Sequence, residues 1–144
     1  MDERAKKQIS QLSVPDRIRL ALRGNRSQRG VLVRDPNRLV AVSVIKSPKM
    51  SESEVELIAN MRNVQDEVLR IVGTSREWVR SYTIVHTLVR NPRCPLPIAL
   101  NLINRLTHAD LKKLEGNRNV PESLRKQAKQ MLMRAAQRGA GARH

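Results

Sequence analysis

The strongest constraint in this sequence is how often a helix-stop is followed at once by a helix-start. Ser13-Val14-Pro15-Asp16 supplies an N-cap serine, a first-turn proline and an acid, and Val14, Ile18, Ala21 and Leu22 then recur at helical spacing until Gly24-Asn25. A short segment over 27–34 stops at Asp35-Pro36; another opens at Asn37, carries Leu39, Val40, Val44 and Ile45, and closes at Ser47-Pro48. Ser51-Glu52-Ser53-Glu54 is a capping box ahead of Val55, Ile58 and Ala59. Asn63 is expected to cap the next helix, with Val64, Val68, Ile71 and Val72 as its stripe and Gly73 as its stop. Trp78, Tyr82, Val85 and Val89 fall on one face of a helix that ends at Asn91-Pro92. Pro95 and Pro97 start a helix with Ala99, Leu102, Ile103 and Leu106 inward, and Thr107-His108-Ala109-Asp110 caps a short one holding Leu111 and Leu114 up to Gly116. Asn119-Val120-Pro121-Glu122 opens the last stripe, Leu124, Ala128, Met131 and Ala135, which runs to Gly139. No segment alternates as a strand would.

Units this short cannot bury their own apolar stripes, so each has to stack on its neighbours. The expectation is one all-helical repeat domain over 1–138, with 1–12 as an extension or first helix and 139–144 as a disordered tail. At 144 residues the chain is long enough for a core without staples. That core must be aliphatic, because Trp78 and Tyr82 are the only aromatics and are read as its anchor.

Two internal similarities support a repeat. Ser47-Pro48-Lys49-Met50 matches Asn91-Pro92-Arg93-Cys94, with Arg34-Asp35-Pro36-Asn37 as a looser copy, at a spacing of 44 residues. Arg62-Asn63-Val64-Gln65-Asp66-Glu67 matches Arg118-Asn119-Val120-Pro121-Glu122 at 56, the difference being assigned to an extra helix over 107–115. At these residues, and best at Arg90-Asn91-Pro92-Arg93-Cys94-Pro95, the chain resembles the bacterial leucine-rich-repeat variant, and more broadly the HEAT and armadillo class, over roughly 35–106. The resemblance implies a short right-handed α-solenoid that binds a partner. The cysteine cluster found in at least one member of that family is absent here, so no cofactor carries over.

Net charge is +15 and lies at the two ends: +6 over 1–40, −1 over 41–72, +3 over 73–110 and +7 over 111–144. Such a field steers towards acidic or polyanionic partners. The candidate docking residues are Arg23, Arg26, Arg29, Arg34 and Arg38 near one end, and Lys112, Lys113, Arg118, Arg125, Lys126 and Lys129 at the other, with Arg134 and Arg138 beyond them. Cys94 is the only cysteine, which points to a reducing, cytoplasmic setting and gives no disulfide framework. No apolar run has the length of a membrane span or the form of a signal peptide.

Catalytic chemistry is hard to assemble from these residues. His86, His108 and His144 have no partner at metal-ligand spacing, and no phosphate loop or nucleophile elbow is present. Most of the acids Glu52, Glu54, Glu56, Asp66 and Glu67 occupy first-turn positions, where they complement the dipole. Cys94, at a helix entrance beside Arg93, is either a reactive thiol or the stand-in for a turn Ser or Thr, and the second reading is favoured. The expected function is therefore a non-enzymatic adaptor for an acidic protein segment, with no cofactor, metal or small-molecule substrate. The alternative is backbone-directed binding of RNA, ribosome or DNA. A distant third is a HEAT-like DNA glycosylase using Trp78 and Tyr82 beside Arg76 and Arg80.

Overall fold

The computed structural model describes residues 1–142 and is all-α: among them there are ten α-helices and no strand. The elements are α1 (Glu3–Ser10), α2 (Val14–Arg23), α3 (Arg26–Leu32), α4 (Arg38–Ile45), α5 (Glu52–Ala59), α6 (Asp66–Thr74), α7 (Tyr82–Arg90), α8 (Leu96–Leu102), α9 (His108–Glu115) and α10 (Glu122–Ala142). Two 3₁₀ turns, Trp78–Arg80 and Ile103–Arg105, precede α7 and follow α8.

Local signals set most of the starts. Ser13, Ser51, Ser81 and Thr107 each accept a hydrogen bond from a first-turn amide, and Asn25 with Gln28 and Ser51 with Glu54 form capping boxes. Asn63 does not cap α6, which begins after Gln65 with no side-chain cap. The stripe from Trp78 to Val89 is not one helix either. Ser81 caps Ile84 and restarts the chain, leaving Trp78 half-buried on the 3₁₀ turn rather than enclosed in the core. Leu39 is exposed, so the inner face of α4 is Val40, Ala41, Val44 and Ile45.

Burial is achieved in series. The even-numbered helices form one row, α2 on α4, α4 on α6, α6 on α8 and α8 on α10. In the other row α5 lies on α7, while side-chain bonds join α3 to α5 and α7 to α9. Neighbours in sequence bridge the rows, and the buried face is almost wholly Val, Leu, Ile and Ala. Gly73 does not stop α6, which continues to Thr74; instead it lets α6 close on α8, since a Cβ there would lie 2.3 Å from Ile98 Cγ2.

The rows reveal a period that the 44- and 56-residue similarities obscured. Each passage from the odd row to the even row carries an arginine followed by Asp or Asn, Arg34-Asp35, Arg62-Asn63, Arg90-Asn91 and Arg118-Asn119, spaced 28 residues apart throughout. The 56-residue match is two periods, and α9 is an ordinary member of the odd row rather than an insertion. The 44-residue match is one turn device used on opposite edges: Ser47 joins α4 to α5, whereas Asn91 joins α7 to α8. Both accept a hydrogen bond from the amide two residues on, at 3.2 Å from Lys49 and 2.9 Å from Arg93. Both also tie the turn to the preceding unit. Ser47 Oγ donates to Leu22 O at 3.3 Å, and Asn91 Nδ2 donates to Ala59 O and Met61 O at 2.8 Å each.

α10 continues through Gly139 and Gly141 to Ala142, so 139–142 is helical rather than a disordered tail; the remainder of that expectation, 143–144, lies outside the described residues. Beyond Leu132 every described side chain of α10 is exposed, including Ala135 of the expected stripe.

Asn91→Ala should lower unfolding free energy by about 1–3 kcal/mol, because two helix-end carbonyls lose their buried donor. Denaturant melts of the two proteins measure this directly, and a change below half a kcal/mol would remove Asn91 as a tie between units.

Candidate anion-binding edge

Arg34, Arg62 and Arg118 stand on the turns that carry the chain from the odd row back to the even row, and Arg90 is the last residue of α7, where the corresponding turn begins. These turns are bound to one another. Gln65 Nε2 donates to Pro36 O at 3.0 Å, Asn91 bridges to Ala59 O and Met61 O, and Arg93 reaches Val64 O at 3.4 Å and Asp66 at 3.0 Å. The backbone beneath Arg34, Arg62 and Arg90 is thereby held in step. Arg34, Arg62, Arg90 and Arg118 are all exposed, and none forms an ion pair among the described residues. Arg34 and Arg90 donate to Gly30 O and His86 O on their own helices, which leaves guanidinium N–H groups facing water. The nearby acids are already committed, Asp35 to Arg17 at 3.0 Å and Asp66 to Arg93.

Of the cations expected to dock a partner, Arg34, Arg38 and Arg118 belong to this edge. Arg23 and Arg26 lie at the opposite edge, where α2 passes to α3. Lys112 and Lys113 are exposed on α9, Lys129 is exposed on α10, Lys126 is paired with Glu122 at 3.4 Å, and Arg125 is half-buried. Arg134 and Arg138 stand on the exposed length of α10. Grouping by chain end therefore separated residues that share an edge. It also omitted Arg62 and Arg90, which the 28-residue spacing would have supplied.

Arg29 has to be removed from the docking set. Its side chain is 7% exposed and its Nε meets Glu54 Oε1 at 2.8 Å, while Nη1 donates to Gly24 O at 2.7 Å. Burial pushes the Glu54 carboxyl upward, but hydrogen bonds from Arg29 and from the hydroxyl and amide of Ser51 outweigh it and hold the group below its ordinary value. The pair lines a small cleft of about 70 Å³ between α3 and α5, together with Met50, Leu57, Ile58 and Met61.

The other polar cluster is a tie between α7 and α9. Tyr82 Oη donates to Asp110 Oδ2 at 2.5 Å and accepts from the Thr107 amide at 3.1 Å, and its ring stacks on His86 at 5.8 Å. His86 Nε2 lies 3.6 Å from Asp110 Oδ1. Burial, then the neighbouring Arg90, lowers the His86 pKa despite the pull of Asp110, so the imidazole is neutral at pH 7. With its hydroxyl engaged and its ring covered, Tyr82 serves as a structural contact, and Trp78 is left half-buried on its 3₁₀ turn.

Cys94 occupies the last position of the Asn91 turn, its amide bonded to Asn91 O at 3.0 Å, which is the geometry Met50 adopts with Ser47. Burial pushes its thiol up to about 11. Among the described residues no group of three His, Cys, Asp or Glu side chains is placed to hold a metal ion, and no helix is long and apolar enough to cross a membrane.

Glu54→Ala should cost about 3–5 kcal/mol at pH 7 by leaving a buried guanidinium unpaired. Because the folded carboxyl titrates below its ordinary 4.5, that contribution is complete above this value and is lost as pH falls through the lower folded one. The stability gap between wild type and variant should thus narrow as pH falls below 4.5; a gap independent of pH would exclude a charged pair. Cys94 should resist a thiol reagent such as dithiobis-nitrobenzoate in the native protein and react at once in guanidinium, whereas rapid native labelling would contradict its burial.

No protein-family model matches this chain, and neither a curated protein nor a solved structure matches it.

Proposed function

We propose that this chain is a short α-solenoid of the HEAT or leucine-rich-repeat-variant kind, acting as a non-enzymatic docking module for an acidic protein segment. The observation that carries this reading is the row of Arg34, Arg62, Arg90 and Arg118, one per 28-residue unit, the first three of them at turns tied together by side-chain hydrogen bonds. A repeating scaffold converts one arginine per unit into an extended cationic edge, and a guanidinium forks onto carboxylate oxygens with two parallel bonds. Three groups that catalysis could draw on are engaged structurally: Glu54 holds Arg29, Asp110 holds Tyr82, and the Cys94 thiol is buried.

Backbone-directed RNA, ribosome or DNA binding is the second reading, favoured by the net charge of +15 and by the exposed cations on α9 and α10. Base stacking has no support in it, because Trp78 and Tyr82 are half-buried.

The test is fluorescence anisotropy with poly-glutamate, single-stranded RNA and duplex DNA, each at 50 and 200 mM salt. Poly-glutamate should bind at both. Joint replacement of Arg34, Arg62, Arg90 and Arg118 by Glu should abolish that binding with helicity unchanged, while replacing Lys112, Lys113, Lys126 and Lys129 by Glu should weaken it less. Tighter binding of RNA or DNA than of poly-glutamate at 200 mM salt would establish the second reading instead.

A further inference from the structure

Resting on the docking role just proposed, we infer that the arginine edge reads an acidic segment in polyproline II conformation with a carboxylate at every third residue. The two repeats have matching periods. Arg34, Arg62, Arg90 and Arg118 recur every 28 residues where an odd-row helix gives way to an even-row one, so neighbouring arginines are separated by about one helix-to-helix step along a row. Packed helices lie about 8–10 Å apart. A polyproline II chain has three residues per turn and rises about 3.1 Å per residue, so side chains at i and i+3 share a face and recur about every 9.3 Å.

The other regular backbones fit less well. A β-strand returns a side chain to the same face about every 6.6 Å, or about 13 Å at the next repeat, and both fall outside the helix spacing. A duplex DNA strand completes a turn in about 34–36 Å, so across a row of four arginines spanning roughly 25–30 Å its phosphates would wind away from the edge. An acidic helix would need a carboxylate every seventh residue, about 10.5 Å apart, just above that spacing, and would set a cylinder about 10 Å wide beside the turns.

The edge already shows the chemistry on a small scale. Arg93, three residues beyond Arg90 on the same turn, holds the Asp66 carboxylate at 3.0 Å although both side chains are at least half exposed. A guanidinium on this edge therefore takes a carboxylate without burial. Extended acidic chains suit the partner role because like charges keep them open, and polyproline II is a major conformer of unfolded chains. Asn91 and Gln65, which bond the turns of Arg34, Arg62 and Arg90 to one another, keep the spacing of those three fixed, so the periodicity of the partner is selected by a braced backbone rather than by flexible lysines.

The experiment uses the full chain and four synthetic peptides, each carrying four glutamates among Ala, Pro, Ser and Gln. The first has Glu at every third position, the second at every second, the third has the four in one block, and the fourth has Glu at every seventh in a helix-favouring context. Anisotropy should rank the every-third peptide about tenfold tighter than the block peptide. Arg34→Gln, Arg62→Gln, Arg90→Gln and Arg118→Gln should each weaken it roughly two- to five-fold, the range of a single exposed ion pair. Asn91→Ala, if still folded by circular dichroism, should erase the preference among peptides while retaining some binding. Equal affinity for all four peptides would overturn the register and leave the acidic-partner reading standing. A preference for the every-seventh peptide would replace the extended partner with a helical one and overturn this inference. Failure of every peptide, with RNA or duplex DNA bound, would overturn both.

Discussion

Short helices need neighbours. Nine of the ten helices among the described residues span seven to ten residues, below the length at which a helix persists alone in water, so α2 to α9 depend on the helices packed beside them to cover their apolar faces. That dependence explains the aliphatic core, since Val, Leu, Ile and Ala fill a gap between closely spaced rods where large rings would force them apart. It also explains Gly73, whose missing side chain allows α6 to approach α8. The polar ties at the turns are secondary in energy but decide register, because they fix which turn sits over which.

Two kinds of arginine are thereby separated. Arg17, Arg29 and Arg93 are matched to Asp35, Glu54 and Asp66 and belong to the framework. Arg34, Arg62, Arg90 and Arg118 have no such partner among the described residues and stand on the surface. A large positive charge on a sequence says little until this division is made. The framework arginines are fixed near a carboxylate and contribute almost no outward field, whereas the repeating ones add along the edge.

Much of the fold was legible because the signals are local. Ser13, Ser51 and Thr107 announce their helices within four residues, and Gly24, Pro36 and Pro48 stop theirs in the same range. Features that depend on distant partners were not. Arg29 looks like any surface arginine until Glu54, 25 positions later in the chain, is brought against it. The Trp78 face reads as one helix because its spacing is right, and only the competing cap at Ser81 breaks it. The period of 28 stayed hidden because so little of each unit is shared: Val64 and Val120 stand where Pro36 and Pro92 do, and two residues per unit are a faint signature. Gly139 and Gly141 misled in the opposite direction, since glycine late in a helix can be a stop or merely a weak helical residue.

The one-dimensional arrangement has a dynamic corollary. When each unit is held by the two beside it, the molecule has no central keystone, and the interior units α4 to α8 are covered on both flanks while the outer ones are covered on one. Opening then proceeds like a zipper from either extremity, with α1 and the distal length of α10 the first to exchange their amide protons with solvent.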